Sequence, residues 1–154
     1  MYSNERNSGG LTLTSNTLAK KLAEFALSKK ASDVLLLDLR PLTSTTDFFV
    51  VCSADSDTQV RAIADAVQKG SEDIGAKVWH TEGAQASTWI ILDYVDVVVH
   101  VFHHETRSFY NLERLWSDAK ATSIEDKLEQ VEVAKKRVKP VKPRRTVRKR
   151  TKQQ

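Results

Sequence analysis

Trp89-Ile-Ile-Leu-Asp93, Asp96-Val-Val-Val-His100-Val-Phe102 and Arg107-Ser-Phe-Tyr110-Asn-Leu112-Glu113-Arg-Leu115-Trp116 follow one another with only short spacers. The first two are β-branched and apolar, and the polar turn Asp93-Tyr94-Val95-Asp96 joins them, so they read as an antiparallel hairpin. In the third the period changes: Phe109, Leu112, Leu115 and Trp116 recur at helical spacing and form an apolar arc flanked by Tyr110, Glu113 and Arg114. These rings either fill the core of a small domain or leave an aromatic surface for a partner protein. Aromatics suit the second role because they bring large contact area at low entropic cost.

Working outward, Leu18, Leu22, Phe25 and Ala26 stripe a helix over 17–30, with Ser15 or Asn16 as candidate caps. Val34 to Leu39 reads as a central strand that Arg40-Pro41 ends, because proline cannot donate to the ladder. Phe48 to Ser53 is the next strand. Val60, Ile63, Ala64, Val67, Ser71 and Ile74 mark one face of a long helix, which Gly75 can close in a left-handed cap. A short strand is expected at 77–80, ahead of Glu82-Gly83. The order α, β, β, α, β, β, β, α predicts an α/β fold with helices packed on a mixed sheet.

The domain organisation expected from composition has four parts: a Ser/Asn/Thr/Gly-rich disordered leader at 1–16, a folded domain at 17–120, an amphipathic helix at 121–137, and a disordered basic tail at 138–154. The third part rests on Thr122-Ser-Ile-Glu125, which reads as a capping box, and on the stripe of Ile124, Leu128, Val131 and Ala134. Val138-Lys-Pro140-Val-Lys-Pro143 favours extended backbone.

The formal charge of +4 averages over two unlike regions. Lys135, Lys136, Arg137, Lys139, Lys142 and Arg144, then Arg145, Arg148, Lys149, Arg150 and Lys152, bring 11 positive charges with no acid among them. Residues 1–134 hold 13 basic and 20 acidic side chains, a net of −7. A concentrated basic segment is an electrostatic footprint for polyanions, which the acidic body would repel. No aromatic residue is interleaved in it, so base stacking is not expected there.

Apolar runs are short and no leader with an apolar core opens the chain, so neither a membrane span nor a signal peptide is expected. Cys52 is the only cysteine, within an apolar strand; it reads as a small buried hydrophobe in a reducing cytoplasm.

Catalytic readings are weak. Asp55-Ser-Asp57 could be a metal-binding carboxylate pair, but it stands where Ser and Asp cap a helix. His100, His103, His104 and Glu105 suggest a metal site, yet strand alternation puts His100 and His103 on opposite faces. His100, between Val99 and Val101, reads as a hydrogen-bonded structural residue. Arg107 and Glu113 are not one helical turn apart, so helical spacing does not pair them. No enzyme, cofactor or metal is expected.

Trp89, Asp93, Asp96, His100, Arg107, Tyr110, Leu112, Glu113, Leu115 and Trp116, with Asp47-Phe-Phe-Val-Val, Ser56, Gln59-Val60 and Glu82-Gly83 upstream, resemble the ribosomal silencing factor S (Iojap) family over residues 17–119. Ala54, Thr58 and Val95 depart from its pattern; Val95 replaces a usual glycine, which implies a different turn geometry, since positive φ would strain it.

The resemblance implies a nucleotidyltransferase-like architecture. It further implies binding to the large ribosomal subunit through large-subunit ribosomal protein fourteen, steric exclusion of the small subunit, repression of translation, and a role in large-subunit biogenesis. Trp89, Asp93, His100, Arg107, Tyr110, Leu112, Glu113 and Trp116 would form or support that contact. The basic tail would add affinity for ribosomal RNA, and the resemblance together with the apolar patch implies self-association of the free protein as a homodimer. The competing readings are a metal-dependent nucleotidyltransferase using Asp55, Asp57 or Asp93, and a general RNA-binding protein acting through its tail.

Overall fold

The computed structural model describes residues 13–125. The elements run α1 (Ser15–Leu27), β1 (Ser32–Asp38), β2 (Phe48–Ala54), α2 (Asp57–Asp73), β3 (His80–Glu82), β4 (Trp89–Asp93), β5 (Val97–His103), α3 (His104–Tyr110), α4 (Leu112–Leu115) and β6 (Lys120–Ser123). They build a mixed sheet with strand order β3-β4-β5-β2-β1-β6. Only β2 and β5 run parallel, while every other neighbouring pair is antiparallel. The expected mixed-sheet α/β class is therefore present.

Alternation along the strands separates two cores. Val34, Leu36, Val50, Cys52, Leu92, Val97, Val99 and Val101 point to the face covered by α1 and α2, where Leu22, Val60, Ile63 and Val67 meet them. The helices α1 and α2 approach closely here: a Cβ on Gly70 would lie 2.6 Å from the Phe25 ring. On the other face Leu37, Leu39, Val51 and Phe102 form a smaller core, against which Phe49, Trp89, Leu112 and Trp116 pack. The short α3 and α4 stand on that side.

Several local expectations need correction. The first helix starts at Ser15, with the Thr14 hydroxyl accepting from the Thr17 amide; neither Ser15 nor Asn16 is its cap. The short strand falls at His80–Glu82 instead of 77–80. Ser56 caps α2 through the Gln59 amide, as the capping reading required, and Gly75 follows that helix at φ +82.

Thr122 and Ser123 open no helix: they end β6, which pairs with β1 from Lys120↔Asp38 to Ser123↔Leu35. The Ile124 amide continues the ladder to the Val34 carbonyl, and the Ile124 side chain joins the α1/α2 core. An open edge of β1 offers backbone partners to four residues at once, which outweighs a local capping signal. The sheet thus runs past the expected boundary at 120. Residues 1–12 of the leader, the remainder of the 121–137 segment and the basic tail lie outside the described residues.

Candidate functional site

The final helix is broken. Asn111 adopts left-handed φ 48, ψ 63; its amide donates to the Arg107 carbonyl to end α3, and its side chain accepts from Arg114 N to start α4. Asparagine tolerates that conformation because its short polar side chain bonds locally. The break divides the expected apolar arc in two. Leu112 and Trp116 turn onto the sheet, whereas Phe109 is 81% exposed and Leu115 73% exposed.

The same break explains Arg107. Its guanidinium donates to Glu113 Oε1 at 2.7 Å from Nε, with Nη2 2.6 Å away, although helical spacing did not pair the two residues. From Nη1 it also donates to the Asp33 carbonyl at 2.7 Å and to Ser53 Oγ at 2.8 Å. Asp33 reaches this position at φ 50, inside a register shift of β1 between Ser32 and Leu35. One largely buried cation therefore ties α3, α4, β1 and β2 together, and such charge-assisted bonds are the strong ones. Arg107 and Glu113 act as a bracket behind the exposed corner.

Trp89 lies beside that bracket. Its ring stacks on Phe102 at 4.8 Å and approaches Tyr110 at 4.7 Å, while Nε1 donates to His100 Nδ1 at 3.2 Å. Phe49 meets the His100 ring edge-on at 4.5 Å and Trp116 at 5.9 Å. His100 is 6% exposed, and burial pulls its imidazole down from 6.5 to about 4, so it is neutral at physiological pH. The structural reading of His100 holds: it orients Trp89. Tyr110, 53% exposed, crowns the layer.

Asp93 is occupied in the hairpin turn, where Oδ1 accepts from the Val95 amide at 2.7 Å. Val95 nevertheless has φ 71. The expectation that this turn avoids positive φ is wrong: Tyr94 N bonds the Val97 carbonyl, and together with the Asp93 bond this holds the β-branched residue left-handed.

Of the eight expected contact residues, Tyr110 is exposed and His100 buried, while Trp89, Asp93, Arg107, Leu112, Glu113 and Trp116 are all half-buried. Phe109, Leu115 and Trp79, the last 72% exposed, are additional large apolar surfaces that the sequence reading did not select. Two adjacent signals were available for the first two: an apolar arc wider than one small sheet face can cover, and Asn111 within it.

The carboxylates needed by a transferase do not converge. Asp55 bonds His104 Nε2 at 2.6 Å beyond the end of β2, Asp57 opens α2, and Asp93 sits at the opposite end of the sheet. Among the described residues, no three His, Cys, Asp or Glu side chains group closely enough to hold a metal ion.

These features define a small mixed-sheet α/β protein with a braced, exposed aromatic corner. A family model described as "Ribosomal silencing factor during starvation" matches residues 12–154. The chain belongs to that ribosomal silencing factor family. It is 37% identical over 113 residues to ribosomal silencing factor RsfS of Bacillus subtilis, covering 73% of this chain and 96% of that one. It is 27% identical over 113 residues to the mouse mitochondrial assembly of ribosomal large subunit protein 1, covering 71% of this chain and 48% of the relative. A crystal structure of a Chromobacterium violaceum protein superposes with TM-score 0.67 at 31% identity, covering 74% of this chain and 95% of that one.

Proposed function

We propose that this protein binds the large ribosomal subunit, through large-subunit ribosomal protein fourteen, and there blocks association of the small subunit, repressing translation. The observation that carries the reading is the corner formed by Phe109, Tyr110 and Leu115, exposed where most other large apolar side chains of the described residues are buried or half-buried. Exposed rings and a leucine on a rigid mount have the composition of an interface hot spot. Family membership supplies the ribosome as the partner, and the printed name of the mouse relative points to the large subunit. A part in large-subunit biogenesis would use the same contact, in the cytoplasm.

Within this reading Trp89, Tyr110 and Trp116, joined by Phe109 and Leu115, touch the partner. Asp93, His100, Arg107, Leu112 and Glu113 hold those groups in place. The basic residues from Lys135 to Lys152 contact ribosomal RNA phosphates, each neutralised phosphate contributing a slope of roughly −0.7 to −0.9 in log affinity against log salt.

The test is sedimentation of purified ribosomal subunits with and without the full chain at two salt concentrations. The proposal expects the protein to travel with large subunits and to suppress joined ribosomes at both salts. Equal binding to both subunits with release by salt would make the tail a general RNA binder and end it. Light scattering of the free protein decides the homodimer.

A further inference from the structure

A second apolar feature lies at the other end of the aromatic face. Phe49, Trp79, Val95 and Trp116 line a groove of about 570 Å³, with Thr46 and Asp93 in its walls. Trp79 and Val95 are exposed, and Val95 is held there in its left-handed conformation. The Thr46 hydroxyl is buried without a hydrogen-bond partner. The lining carries one acid and no base. Aromatic walls and a negative charge suit a proline-rich, basic, extended peptide, whose rings stack on indoles.

The chain contains such a peptide. Val138-Lys139-Pro140-Val141-Lys142-Pro143-Arg144-Arg145 repeats Val-Lys-Pro. Polyproline II has three residues per turn. On that helix Pro140 and Pro143 share one edge, Val138, Val141 and Arg144 a second, and Lys139, Lys142 and Arg145 a third. The proline edge is apolar, the valine edge is apolar until Arg144, and the third is cationic. The repeat is thus amphipathic in the one backbone conformation that its prolines favour.

We propose that Val138–Arg145 occupies the groove between Trp79 and Trp116 of its own chain in the free protein. The prolines and valines would lie against the indoles, with the lysine edge toward Asp93 and neighbouring Asp96. The reach is sufficient. Glu125 follows the end of β6 beside the start of β1, while the groove lies at the opposite end of the strands and three strand positions across. That is roughly 23 Å along and about 14 Å across the sheet, or about 27 Å. Residues 126–137 span up to ~40 Å extended, and as a helix ~18 Å, to which Val138–Pro140 add about 9 Å. Trp116 belongs both to this groove and to the proposed partner surface, so tail and partner would compete.

The occupancy stands apart from the identity of that partner and is tested on the full free chain. Cys52 is wholly buried and its thiol is pushed up to about 12 by burial, so a nitroxide goes to a cysteine introduced as Thr146→Cys. The indole N–H signals of the three tryptophans are then read by NMR. The expected result is strong broadening of Trp79 and Trp116, weaker broadening of Trp89, and loss of the Trp116 effect in Trp79→Ala and in Pro140→Ala/Pro143→Ala. Three results would overturn it: no selective broadening; broadening that fades on dilution, which makes the occupant a second copy; or broadening that survives the proline substitutions and vanishes in salt, which reduces it to diffuse charge attraction.

Discussion

The two faces of the sheet are made by the same strands, yet they are finished differently. Under α1 and α2, alternate residues of β1, β2, β4 and β5 meet two long helices, and Leu22, Val60, Ile63 and Val67 are completely buried. Under α3 and α4 the cover amounts to eleven helical residues split by Asn111, and half-buried rings take the place of aliphatic packing. Polar brackets substitute for area on that side: Arg107 on Glu113, Ser53 and the Asp33 carbonyl, and Trp89 on His100. The lesson is a division of labour. One face supplies stability, while the other trades buried area for a rigidly held open surface.

The contrast is most severely strained by truncation on the covered face. Leu22→Ala removes a fully buried side chain and should lower the unfolding free energy by about 3 kcal/mol in a denaturant titration, leaving subunit affinity intact where the protein is folded. A cost below about 1 kcal/mol would mean that this face is not the principal core.

On the aromatic face, pH provides the next largest effect. His100 is depressed from 6.5 to about 4, so between those values the unfolded chain binds the proton and the folded chain does not. Its contribution is fully present above pH 6.5 and is lost as pH falls toward 4, a change of about 3 kcal/mol. His100→Gln should flatten that part of the stability profile; an unchanged slope would show that His100 is not held neutral by burial in the folded chain.

Substitution at the open corner should separate binding from stability. Phe109→Ala and Leu115→Ala each remove a largely exposed side chain, so unfolding should move by no more than about 0.5 kcal/mol. Large-subunit affinity should fall by on the order of 2 kcal/mol, about 30-fold, at a hot-spot position. Equal loss of both properties would place these side chains in the core and erase the contrast. The smallest effect belongs to the hairpin: Val95→Gly relieves φ 71 and should raise stability by about 1 kcal/mol in thermal unfolding.

Much of this arrangement could be read from the sequence. The hairpin, the long α2 and its Ser56 cap followed from local signals. What escaped depended on contacts remote in sequence. Thr122-Ser-Ile-Glu125 carries a helix-start pattern, but the free edge of β1 draws it into a strand. Arg107 and Glu113 meet only because Asn111 turns the chain left-handed between them. The Asp33 carbonyl reaches Arg107 only through an irregularity in β1. With the helix read as continuous, Phe109 and Leu115 looked like parts of one arc; broken, it turns them outward. The support residues were therefore easier to select than the surface they support.

The most direct test of the central claim is sedimentation of the Phe109→Ala/Leu115→Ala double variant with purified large subunits, in salt high enough to screen the basic tail. The account predicts a folded protein, with unfolding unchanged within about 1 kcal/mol, that no longer travels with the subunit or suppresses subunit joining. A folded double variant that sediments with large subunits as fully as the original chain would contradict it.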